Sequence, residues 1–127
     1  MSDNKLISKE VIQKIDLAQG KLTRCWEQFV LCENSDAFIL LSEIFLDIGN
    51  IMNVINSMGI EGKYKIDFNK INEVFIEIEK SIVLKDHQLI ADLLYYHIKP
   101  QLKKWNKAVN EYNKLNLKND KDFSKLN

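Results

Sequence analysis

Apolar residues return along this chain at steps of three and four, the spacing of helices that bury one face. Val11, Ile15, Ala18, Leu22, Cys25, Phe29 and Cys32 make the first such row. Ser8 ahead of it predicts an N-cap for a helix over residues 8–32, with Ile7 and Ile12 as a hydrophobic staple. A second row, Ala37, Leu41, Ile44, Ile48, Ile51, Ile55 and Met58, follows Asn34-Ser35-Asp36, which predicts the next cap. Phe38, Phe45 and Met52 run parallel to it, so this helix buries a wide face and belongs near the centre. Gly59 supplies the left-handed residue that closes it.

Residues 59–66 hold two glycines and no periodicity, and predict the one long connection. Asp67 then caps a third helix with Ile71, Phe75, Ile78 and Ile82 inward and Glu73, Glu77 and Glu79 on its remaining surface. After a short break at Leu84-Lys85-Asp86, one face continues as Ile90, Leu94, Ile98, Leu102, Trp105, Val109 and Tyr112, straight through Pro100. Proline has no N–H for the carbonyl of Tyr96 and crowds it; because the apolar register survives, the pattern predicts a kink rather than an end. There is no strand-like alternation. The expected fold is all-α: an antiparallel four-helix bundle with a long final helix kinked at Pro100, one domain over residues 1–115, and a polar, flexible tail over 116–127.

Composition agrees with that pattern and narrows the partners. An apolar share of 46% with four Gly and one Pro fits a helical globule and argues against disorder except at the ends. The 18 basic and 18 acidic side chains cancel, so no net field draws nucleic acid or an anionic membrane. Their distribution is uneven: residues 1–32 carry +1, residues 33–98 carry −6 and residues 99–127 carry +5. Lys99, Lys103 and Lys107, with Lys104 beside them, form a basic strip next to Trp105 and Tyr112, expected to complement the acidic third helix or a second copy. As a nucleic-acid site the strip lacks the bidentate fork of arginine, since Arg24 is the only arginine in the chain. The opening residues carry no signal-peptide pattern and no uninterrupted apolar run approaches membrane-spanning length, so a cytoplasmic protein without membrane association is expected.

The stock of catalytic side chains is thin. Cys25 and Cys32 lie seven apart in one predicted helix, about 10.5 Å along its axis at the usual rise, beyond the reach of a disulfide, and both read as core thiols. His87 and His97, ten residues apart, point in different directions and cannot share a metal; His87 reads as a surface residue of the first turn. Glu73 and Glu77, one turn apart among lysines, read as a solvated face. No nucleophile elbow, phosphate loop or zinc-helix motif is present. The chain is therefore expected to be non-enzymatic, without cofactor or metal. Trp26, off the inward row, and the consecutive Tyr95 and Tyr96 leave aromatics free to anchor a partner if they are exposed together.

Asp86, the run Leu89-Ile90-Ala91-Asp92-Leu93-Leu94-Tyr95-Tyr96, then Pro100, Leu102 and Trp105, resemble the C-terminal signature of an uncharacterised family of small helical proteins from Gram-positive bacteria. Tyr96-His97 stands where that signature has Tyr-Glu. The resemblance implies a bacterial, helical, non-enzymatic protein and directs attention to Asp92, Tyr95, Pro100 and Trp105. With the strip, the candidate partner-binding residues are Asp92, Tyr95, Lys99, Lys103 and Trp105, and Asp92 is also placed to pair with Lys99 along the helix. The expected function is a protein-interaction module, an adaptor, regulator or chaperone-like protein that binds another protein, with a homodimer left open. The alternative is a weak binder of nucleic acid or an anionic surface through Lys99 to Lys107.

Overall fold

A computed structural model describes residues 2–125, with side chains described for residues 7–115. Six α-helices and one π-helical turn account for nearly all of it, and there is no strand among the described residues. α1 spans Ser2–Val30 and α2 spans Asn34–Met58. Cys25 Sγ donates to the carbonyl of Ala37, Phe29 meets Phe38 edge-on, and Lys21 reaches Asp47, so the two helices run antiparallel. Val11, Ile15, Ala18, Leu22, Cys25 and Phe29 are buried as their spacing requires.

The first helix departs from expectation at both ends. Ser8 is fully buried in its interior, so it is no N-cap and Ile7 and Ile12 form no staple around it. The helix stops at Val30, and Cys32 sits in the turn, exposed, with a left-handed φ of 62°. Only Cys25 is a core thiol. The cap expected from Asn34-Ser35-Asp36 is likewise displaced: these residues form the first turn of α2, and Glu33 takes the cap position without a side-chain hydrogen bond.

α2 is long and apolar enough, by length and composition, to cross a bilayer, a test that a core helix also passes. Its Ala37, Leu41, Ile44, Ile48, Ile51 and Ile55 are buried in the bundle, and Phe38, Phe45 and Met52 pack against that core. Gly59 ends it at φ 69°, as a C-terminal glycine does. The following connection is ordered rather than a plain loop: α3, Glu61–Tyr64, makes one turn between the buried Ile60 and Ile66. One helical turn is too short to show a period, so no spacing of apolar residues marks it.

α4, Phe68–Val83, starts where Asp67 accepts a hydrogen bond from Asn69 N, and buries Ile71, Ile78 and Ser81 with Phe75 and Ile82 partly covered. A tight turn leads to α5, His87–Leu93, capped by Asp86 through Leu89 N. A π-helical turn, Leu94–Ile98, then joins α5 to α6, Lys99–Lys125. This composite fourth helix lies antiparallel to α1: Asn106 Nδ2 donates to Asp16, Lys99 Nζ to Thr23, and Trp26 stacks on Tyr95. Residues 116–125 continue α6, where a structureless tail was expected; Leu126 and Asn127 lie outside the described residues.

The π-turn has a legible cause. Four residues advance an α-helix by about 40° beyond one turn, so the three successive four-residue steps from Ile90 through Leu94 and Ile98 to Leu102 would carry the apolar row about 120° off the core. A wider turn absorbs that drift, and all four side chains are fully buried. Lys99 N–H bonds Leu94 O, five residues back, and Pro100, next in line, has no N–H to give.

Candidate functional site

Of the five residues singled out by sequence, three share a groove. Tyr95 and Tyr96 come from the π-turn, and Lys99, Pro100 and Lys103 from the start of α6; together they line a shallow groove of about 300 Å³. The widened turn places the two tyrosines side by side, their rings edge-on at 5.1 Å between centroids. Tyr95 is half-buried against Trp26 at 4.8 Å, while Tyr96 is 64% exposed. Lys99 Nζ stands 4.8 Å over the Tyr95 ring and 3.4 Å from the Thr23 hydroxyl, which itself donates to Gln19 O. A cation over an aromatic face contributes about 0.5–2 kcal/mol, depending on how far it is desolvated. Lys103 is exposed at the far lip. No acidic residue lines the groove, and neither lysine makes an ion pair among the described residues.

The other two candidates lie elsewhere. Trp105 is fully buried, edge-on to Phe68 at 5.4 Å, with its indole Nε1 lacking a hydrogen-bond partner. It is a core residue and cannot anchor a partner, because the wide turn that keeps Leu102 on the core also turns Trp105 inward. Asp92 accepts a hydrogen bond from Gln88 Nε2 at 3.0 Å, one helical turn back, and makes no pair with Lys99. Lys99 is drawn instead to Tyr95 and α1.

The basic strip is divided. Lys104 and Lys107 line a separate cleft with Tyr64, Ala108 and Glu111, where burial, then the nearby Glu111, push the Tyr64 phenol up. No ion pair joins the strip to α4 among the described residues, so it does not complement the acidic helix as expected. The ion pairs that do form include Lys21 with Asp47 at 2.8 Å and Glu43 at 3.7 Å, bridging α1 and α2 beside a third cleft. That triad was invisible in sequence because its partners are 22 and 26 residues from Lys21. His87 is also misread by sequence: it is half-buried, its ring stacked 6.0 Å from Phe29 and edge-on to Phe38 at 5.7 Å.

No group of three or more His, Cys, Asp or Glu side chains among the described residues could hold a metal ion. Burial pushes the Cys25 thiol up to about 12, the opposite of what a nucleophile needs. Comparison with known proteins returns one finding: residues 7–108 match a family described as a domain of unknown function, DUF8042. No curated protein and no solved structure matches the chain.

Proposed function

From the premise that the chain belongs to the DUF8042 family, a domain family of unknown function that brings no activity with it, we propose that it is a non-enzymatic protein-interaction module of the bacterial cytoplasm. Its role is that of an adaptor, regulator or chaperone-like protein, and the residue pattern from Asp86 to Trp105 supports a source among Gram-positive bacteria. The site is the groove of Tyr95, Tyr96, Lys99, Pro100 and Lys103, and its occupant is a segment of another protein bearing a carboxylate. One observation carries this reading. Among the described residues, an exposed tyrosine and two lysines that make no ion pair border one concave surface with no acid in its lining. Tyrosine is among the residues most enriched at the anchor points of protein interfaces.

The test is co-purification from the native host. Tagged wild-type chain retains a partner in fixed ratio, and Tyr96→Ala with Lys103→Gln loses it while melting at the same temperature. Retention of that partner by the double variant removes the groove from the account. A second reading, binding of nucleic acid or another polyanion, draws support from the exposure of Lys103, Lys104 and Lys107, which make no ion pair among the described residues. It requires heparin retention that falls steeply with salt and is lost when Lys99, Lys103, Lys104 and Lys107 become Gln. Unchanged retention rules it out.

A further inference from the structure

Two turns at one end of the bundle are built alike. Val30-Leu31-Cys32-Glu33 links α1 to α2, and Val83-Leu84-Lys85-Asp86 links α4 to α5. In each, the third residue is left-handed, at φ 62° for Cys32 and 57° for Lys85. In each, the acidic fourth residue donates its N–H five residues back, Glu33 to Gln28 O at 2.8 Å and Asp86 to Ser81 O at 2.9 Å. Both then occupy the cap position of the next helix, Asp86 with a side-chain hydrogen bond and Glu33 without one. His87, just after the second turn, stacks on Phe29 and meets Phe38 edge-on, which brings the two turns next to each other.

Both turns leave aliphatic side chains exposed at this end of the bundle. Leu31 is 68% exposed, Val83 81% and Leu84 75%, with Val30 and Leu89 alongside. Singly, exposed apolar residues need no explanation; five around two adjoining turns do. They are not part of the helix-stop device either. In that device the residue after the left-handed one makes the apolar contact, and here it is Glu33 or Asp86.

Charge selects the occupant. Glu27, Glu33, Asp36 and Asp86 are exposed in and beside the two turns against Lys80 and Lys85, which leaves a net negative balance. Two copies meeting through it would set acid against acid, and an anionic membrane would be repelled. We propose that this end face, apart from the groove described above, docks a cationic amphipathic segment of another protein: aliphatic side chains laid over Leu31, Val83 and Leu84, flanked by lysine or arginine against Glu33 and Asp36.

The experiment uses the full chain and two labelled synthetic helices with the same leucine face, one with lysine and one with glutamate elsewhere, read by fluorescence anisotropy. The lysine helix binds the wild type, and the glutamate helix does not bind the chain carrying Tyr96→Ala with Lys103→Gln, in which the groove no longer contributes. Leu31→Ser with Leu84→Ser weakens binding at least tenfold, as does Glu33→Lys with Asp36→Lys, while Lys103→Gln leaves it unchanged. Should the serine variant lose its helical circular dichroism, the charge-reversal variant alone decides. The proposal is overturned by no binding of the lysine helix or by equal binding of both helices to the chain carrying Tyr96→Ala with Lys103→Gln. It is also overturned if the variants keep their affinity. Sedimentation of the wild type with phosphatidylglycerol vesicles, lost in the serine variant, would overturn it by assigning the face to lipid. Concentration-dependent dimerisation lost in that variant would overturn it by assigning the face to a second copy.

Discussion

Cys25 and Cys32 are one residue type in two surroundings, and their chemistry should separate accordingly. Cys25 is buried, donates to Ala37 O, and its thiol is pushed by burial from 9.0 up to about 12. Cys32 is exposed in the turn. An aromatic disulfide reagent at neutral pH should therefore titrate one thiol in the native protein and both in denaturant. The raised value also sets a pH dependence. Between pH 9 and about 12 the unfolded thiol loses its proton while the native one keeps it, so stability falls as pH rises through that window. Urea midpoints should fall more steeply there for the wild type than for Cys25→Ala. Trp105 offers a second contrast. Trp105→Ala should cost about 3–5 kcal/mol by urea unfolding, the usual penalty for emptying an aromatic site. Trp105→Phe should cost less than half of that, because it keeps the ring against Phe68 and removes a buried N–H that has no partner.

At the scale of elements, Gly20 and Gly49 lie inside α1 and α2 with nothing within 4 Å of where a Cβ would stand. Glycine inside a helix costs about 0.5–1 kcal/mol relative to alanine, so Gly20→Ala and Gly49→Ala should each raise stability by that order in thermal melts. The π-turn makes a sharper prediction. Deleting one residue from it returns the backbone to ordinary helical spacing without rotating α6. Deletion of Tyr96 with Pro100→Ala should therefore keep cooperative unfolding, whereas deletion of Lys104 turns Trp105 and Val109 by about 100° and should abolish it. The π-turn was written in the four-residue steps from Ile90 to Leu102, but such steps also read as an ordinary helix until the next residues are placed.

At the scale of the whole molecule, one core joins all the long helices, with Trp26 on α1 and Trp105 on α6 reporting from different parts of it. Unfolding followed by tryptophan fluorescence and by far-ultraviolet circular dichroism should coincide in a single transition, and separate midpoints would contradict one cooperative domain. The sequence by itself determined the all-α class, the four long helices and nearly every core position, because burial on a helix depends on a period that neighbours along the chain express. Asp67 and Gly59 were legible for the same reason, each acting within its own turn. Of the groove, Tyr95, Lys99 and Lys103 were named, but Trp105 was misplaced. Its place in the apolar row with Leu102 and Val109 marked it for the core, and its full burial decides against the partner-binding role its neighbours suggested. The Lys21 bridge, the clamp of His87 between Phe29 and Phe38, and the joining of the two Val-Leu turns were decided by tertiary structure alone. Each brings together residues from different helices, whose meeting depends on how the helices pack and leaves no mark in local spacing.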